Sequence, residues 1–381
     1  STGSKGDRMR GAVALFALSA CIAEPDEPTP LPEVAAWSAP DTAGPYLVGA
    51  RTHEFVDARG IEMIVELWYP ALPAEGAVPE DYGQLSVVRN AFRDAPIDAR
   101  NQAFPLIAFS HGFGGIRYQS TFLTEHLASH GFVVVAPDHP NNTLFDLDSD
   151  ITDLVALARP GDISAAVDEV ARLAEDGAEW EGVVDATRFG MVGHSFGGWT
   201  TLAVGGGVVD LEATAAYCEA TPTASCDFLD LSALTEVGDT SPDSRVVASA
   251  ALAPGGAFTF VEGSLETVEN VLVMGGQRDG DMPYDSEIRP AFDRLGSGAT
   301  LVTLARSGHW AFTDLCELLD VFDDCQGEDS DYMDAEVVQA TTNTLVTAHL
   351  RSTMLGSTDD EPFLADSYWQ DTADVTVMVT P

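Results

Sequence analysis

The chain has 381 residues, 45% of them apolar, enough to bury a large core in one α/β domain with insertions or in two domains. It carries 61 Asp and Glu against 18 Lys and Arg, a formal charge of −43, and its single lysine is Lys5. Such a surface repels nucleic acid and anionic membrane faces, which argues against binding either, and fits a solubility adaptation to saline or extracellular surroundings.

At the N-terminus, Lys5, Arg8 and Arg10 precede a short apolar run, Ala12 to Ala20. A basic start, a brief apolar stretch and small residues predict a secretory signal, and the run is too short to span a bilayer. Leu18-Ser19-Ala20-Cys21 is similar to the lipobox of bacterial lipoproteins, in which the cysteine is lipidated. Residues 1–21 are therefore predicted as a lipoprotein-type signal with Cys21 as the lipidation site. Residues 22–44, rich in proline and acid, are predicted as a tether, and residues 45–381 as the folded domain. The expected location is the cell envelope or the exterior.

The runs Tyr46–Val56 and Ile61–Tyr69, joined by Asp57-Ala58-Arg59-Gly60, predict an antiparallel hairpin. Residues 71–101 read as a loop with a short helix. From Phe104 strands and helices alternate. Strand 105–109 leads through Ser110-His111-Gly112-Phe113-Gly114-Gly115 to a helix over 118–130. Strand 132–136 leads through Asp138-His139-Pro140-Asn141-Asn142 to a helix over 162–175. Strand 188–192 runs into Gly193-His194-Ser195-Phe196-Gly197 and a helix. The acidic segment 205–244 interrupts the pattern and is predicted as a lid-like insertion. Strands 245–252, 271–275 and 300–304, a helix near 285–295 and a long helix over 334–354 complete the series. The alternation predicts a doubly wound, mostly parallel sheet with an antiparallel leading edge, whose ligands bind at the carboxyl ends of the strands.

Apart from Cys21, four cysteines form two close pairs, Cys218/Cys226 and Cys316/Cys325. In an exported chain these read as disulfides. Zinc is the rival reading, but neither pair has C-x-x-C spacing or a nearby histidine, so no metal is expected. Asp146-x-Asp148-x-Asp150 and the run Asp323 to Asp331 look like calcium loops. The first has Leu157 at loop position 12 and no glycine at position 6, so both runs read as solvated surface.

The Gly193–Gly197 pentapeptide, set between strand and helix, is a nucleophile elbow with Ser195 as nucleophile. A serine hydroxyl needs a base. Only His309 and His349 follow it, and His309 lies in a loop after a strand whereas His349 sits inside the long helix. The acid belongs on the loop after strand 271–275. Asp279 comes first off the strand, with Asp281 and Asp285 as alternatives. The amides of Phe196 and Phe113 are the expected oxyanion donors. Trp199, Trp310 and His139 are expected pocket residues, with Phe113 and Phe196 beside them.

Together these pieces resemble an α/β-hydrolase. The segments 109–115, 127–134, 136–140, 193–198 and 308–312 are similar to the bacterial predicted dienelactone hydrolase group, which is related to platelet-activating-factor acetylhydrolases and cutinase-like polyester hydrolases. The elbow holds serine where dienelactone hydrolases hold cysteine, so that substrate does not carry over. The resemblance implies cofactor-free hydrolysis of esters with short or medium acyl groups, by a serine carboxylesterase acting on a small ester or polyester. A lipid anchor would be its only link to a membrane. A non-catalytic surface lipoprotein on the same scaffold is the rival from another class.

Overall fold

The computed structural model describes residues 37–380 apart from 88, 101–102, 149–151, 222–225, 227–241, 320, 326, 328–330 and 373. The expected signal, Cys21, most of the tether and much of the 205–244 insertion lie outside the described residues.

Eleven strands form one sheet among these residues. In chain order they are β1 (Leu47–Val56), β2 (Glu62–Ala71), β3 (Val78–Pro79), β4 (Ala91–Arg93), β5 (Phe104–Ser110), β6 (Val133–Pro137), β7 (Val184–His194), β8 (Val246–Leu252), β9 (Val271–Gly276), β10 (Thr300–Leu304) and β11 (Val375–Val379). The spatial order is β11-β10-β9-β8-β7-β5-β6-β2-β1-β4-β3. The six strands from β6 to β10 run parallel. The β1–β2 hairpin joins them antiparallel through β6, as the sequence predicts, and β11 closes the opposite edge antiparallel.

The parallel strands are apolar on both faces because helices cover both. On β5, Leu106 and Ala108 join a buried cluster with Ile163, Ala166, Val167 and Val170 of helix α2 (Thr152–Leu173). Ile107 and Phe109 join another with Phe122, Leu123 and Leu127 of helix α1 (Thr121–Ser129). Leu345, Val346 and Leu350 of the long C-terminal helix Ala335–Leu355 belong to that second cluster. The chain departs from β5 to β6 on one side and to β7 on the other. That switch point sets the β5 loop beside the elbow.

Several expectations are corrected. Helix α2 starts at Thr152, ten residues early, and runs through Pro160, whose missing N–H reads in sequence as a break. The buried Ala156, Leu157 and Ile163 hold both halves to the core. The 71–101 loop contains β3, β4 and a single 3₁₀ turn, Tyr82–Gln84, and β4 pairs parallel with β1. The last residues of the predicted 22–44 tether bond to helix α1 and the residue after it. Pro40 O accepts from His126 Nε2 (2.9 Å), Thr42 O from His130 Nε2 (2.9 Å), and Gly44 N–H donates to Ser129 Oγ (2.9 Å). Strand β11 had no sequence expectation.

In the insertion, helix α4 (Leu211–Ala220) packs on the segment after β8, with Tyr217 stacked on Phe258. Both cysteine pairs are bonded as predicted, Cys218 to Cys226 and Cys316 to Cys325.

Candidate active site

Strand β7 ends in the elbow, and helix α3 (Phe196–Gly205) follows at once. Ser195 sits between them at φ 58°, ψ −118°, a strained backbone for a residue with a Cβ. The turn fits only because its flanks are glycine. A Cβ on Gly193 would lie 2.2 Å from Gly197 O, and one on Gly197 would lie 1.9 Å from Ser110 O. The Phe196 N–H opens α3 without an intrahelical acceptor.

Ser195 Oγ lies 2.9 Å from His309 Nε2, and His309 Nδ1 lies 2.8 Å from Asp279 Oδ2. Ser195 is on the elbow after β7, Asp279 on the loop after β9 and His309 on the loop after β10, so the sheet register brings them together. Asp279 is held in turn, its Oδ1 accepting the N–H groups of Asp281 (3.0 Å) and Met282 (2.7 Å). Asp281 and Asp285 are exposed, and the carboxylate paired with His309 is that of Asp279. Burial by itself would push the His309 imidazole toward the neutral form. The Asp279 carboxylate, helped by Asp281 and Asp324, outweighs it and raises the pKa above the usual histidine value.

The loop after β5 faces the elbow. Gly112 N–H donates to Gln119 Oε1 (2.8 Å), and the Phe113 and Phe196 rings stand 6.3 Å apart. Beneath it, the fully buried Arg159 donates from Nε to Thr200 Oγ1 (3.0 Å), from Nη1 to Asn142 Oδ1 (2.6 Å), and from Nη2 to Ser110 Oγ (3.0 Å) and His111 O. Its guanidinium carbon stands 4.5 Å from the centroid of the Phe196 ring. The expected pocket role of His139 is corrected. This imidazole is fully buried, bonded to Ser110 Oγ (2.9 Å) and Asp162 Oδ2 (3.0 Å), and supports the loop from below without lining the cavity.

A cavity of about 700 Å³ opens over Ser195. Phe113, Phe196, Trp199, Trp310 and Phe322 give it aromatic walls, and Leu85, Leu144, Leu318 and Leu319 line its exposed side. Asp281 also lines it, and no arginine or lysine does among the described residues. Trp310 stacks on Phe322 with centroids 4.4 Å apart, while Trp199 bonds Thr259 Oγ1 (2.8 Å) and contributes floor. The described part of the 205–244 insertion contributes no wall.

The acidic runs do more than solvate. Asp324, 6% exposed, accepts the Trp310 N–H (2.6 Å) and packs against Gly308, where a Cβ would lie 2.3 Å from its own Cβ. Asp146 caps its own turn through the N–H groups of Asn141 (2.8 Å) and Thr143 (2.9 Å). Asp314 is buried and accepts the N–H groups of Thr121 (2.9 Å) and Phe122 (3.3 Å), capping α1 where Ser120 makes no side-chain cap. Among the described residues, two groupings have metal-ligand proximity. One is Asp279, Asp281 and His309, and in the other, Cys316, Asp324 and Cys325, the sulfurs are bonded to each other. Gln119, Arg159, Asp314 and Asp324 carry no local signal in the sequence, since each acts on a partner distant in the chain.

A family model for platelet-activating factor acetylhydrolase, isoform II, matches residues 78–145. Cutinase est1 of Thermobifida alba is 35% identical over 113 residues, which are 30% of this chain and 34% of that protein. Cutinase 2 of Thermobifida cellulosilytica is 33% identical over 113 residues, 30% of this chain and 38% of that protein. The match thus spans about a third of the length of these relatives. A solved structure of a ferulic acid esterase from Streptomyces cinnamoneus superposes with a TM-score of 0.59 at 24% identity, covering 87% of this chain and 96% of that one. That likeness shows the fold, which is the α/β-hydrolase fold.

Proposed function

We propose that this chain hydrolyses carboxylic esters through an acyl-enzyme. Ser195 attacks the ester carbonyl while His309 takes its proton and passes it to the leaving alcohol. Asp279 keeps the imidazole in the tautomer with Nε2 facing the serine and stabilises the imidazolium. The amides of Phe196 and Phe113 take the developing oxyanion, and water then releases the acid by the same steps in reverse order. The observation that carries this reading is the unbroken hydrogen-bonded chain from Ser195 Oγ through His309 to Asp279 Oδ2.

The aromatic cavity, free of arginine and lysine among its described lining residues, suits neutral esters with short or medium acyl groups. Two disulfides support export. Among the described residues no helix is long and apolar enough to cross a membrane, and lipidation at Cys21 would supply an anchor. A polyester or lipid ester is the second reading, favoured by Leu144 and Leu319, which line the cavity and are 65% and 47% exposed, and by the likeness to cutinases.

The test is hydrolysis of p-nitrophenyl esters from acetate to palmitate by the native protein and Ser195→Ala, at low and high salt. The variant should fold normally and lose at least ~10⁴-fold in kcat. Retained turnover, or a folded native protein silent across the series, counts against the reading.

A further inference from the structure

We propose that Gln119 is a positioning residue that, with His194, clasps the oxyanion loop to the nucleophile elbow and to the loop of the base; this rests on the ester-hydrolase reading above. Its side-chain Oε1 accepts the Gly112 N–H at 2.8 Å. Its Nε2 lies 3.1 Å from His194 Nδ1, and His194 Nε2 lies 3.1 Å from the His309 backbone oxygen.

Donor and acceptor roles in this chain permit one assignment. The His309 oxygen can only accept, so His194 Nε2 carries the proton and Nδ1 presents a lone pair. The Gln119 amide must then turn its NH₂ to His194 and its oxygen to Gly112. His194 is fully buried, and burial together with the neighbouring His309 keeps it neutral well below the usual histidine pKa. A neutral ring thus stands with its centroid 4.6 Å from that of the His309 imidazole.

Gln119 is itself fixed. Its backbone oxygen accepts the Asp314 N–H at 2.9 Å. Both loop glycines crowd its amide: a Cβ on Gly115 would lie 2.5 Å from Oε1, and one on Gly112 would lie 3.2 Å away. One amide therefore sets the spacing among the loops after β5, β7 and β10, where an error of ~1 Å costs on the order of 100-fold in rate.

The test uses the native protein, Gln119→Leu and Gln119→Glu, with p-nitrophenyl butyrate kinetics normalised by fluorophosphonate titration of Ser195. Leucine should lower kcat per titrated site by ~10–100-fold with KM within about twofold. Glutamate still accepts from Gly112 but draws a second proton onto His194 Nδ1. The base His309 faces Asp279, Asp281, Asp324 and His194, so an imidazolium at His194 moves the acid limb of kcat/KM to lower pH. Imidazole ¹⁵N shifts of the native protein should show His194 protonated on Nε2.

Native kcat per titrated site and a native pH limb in both variants would overturn the clasp. So would losses confined to melting temperature and titratable fraction, or a His194 protonated on Nδ1 alone. A native protein that neither turns over ester nor titrates defeats the hydrolase reading instead, and the nitrogen shifts still judge the clasp.

Discussion

Three carboxylates act on one imidazole. Asp279 is bonded to His309, and Asp281 and Asp324 add negative charge without bonding its ring, so the pKa of His309 stands above the ordinary ~6.5. A protonated His309 cannot take the Ser195 proton. The acid limb of kcat/KM should therefore lie above that of an unperturbed histidine, and Asp281→Asn should move it to lower pH with little change in the plateau. An unmoved limb in that variant would leave Asp279 and Asp324 as the causes. At this scale the sequence was legible where chain order constrains chemistry. Ser195 had a motif, His309 was one of two histidines beyond it, and Asp279 came first off its strand. Gln119 and Arg159 were not legible, because bonds to other elements, such as Gln119 to His194 and Arg159 to Asn142, leave no local pattern. Asp324 was hidden in a run whose composition resembles solvated surface, and His139 sat at a strand end like a wall residue yet points beneath the loop.

The base loop depends on a short element. Helix Leu315–Leu318 and the 3₁₀ turn Asp323–Cys325 are tied by Cys316–Cys325, nine residues apart. Leu315, Leu318, Leu319 and Phe322 line the cavity, and Asp324 holds the Trp310 amide. Replacing both cysteines by serine should cost on the order of 2–3 kcal/mol of stability, the loop-closure value for a ring this small. The more specific expectation concerns selectivity: kcat/KM for octanoate should fall several-fold more than for acetate, because the wall that holds the longer chain is loosened. An unchanged octanoate-to-acetate ratio would show that the wall stands without the disulfide. Central strands were readable from their apolar runs, since burial on both faces removes the polar alternation. The edges were less so. Strands β3 and β4 are two and three residues long, too short for a periodic signal, and α2 crosses a proline that local rules treat as a stop.

The charge of −43 makes self-repulsion a property of the whole molecule. Arginines offset part of it within the described residues, as Arg93 does against Glu66 and Glu80, and Arg306 against Asp374. Raising salt from ~0.1 to ~1 M shortens the screening length from ~10 to ~3 Å, which weakens repulsion among exposed carboxylates more than it weakens half-buried pairs. The melting temperature should rise by ~5 °C or more over that range. A flat or falling curve would mean that the ion pairs outweigh the repulsion. The cap that Asp314 places on α1 has a consequence in time. Its bond to the Thr121 amide spans 193 residues of sequence. At ~5–20 residues per second of synthesis, α1 and the adjoining oxyanion loop emerge on the order of 10–40 s before the carboxylate that fastens them. A nascent chain therefore holds its serine elbow complete while the loop facing it is still unfastened, and the two are locked in place only once Asp314 has emerged.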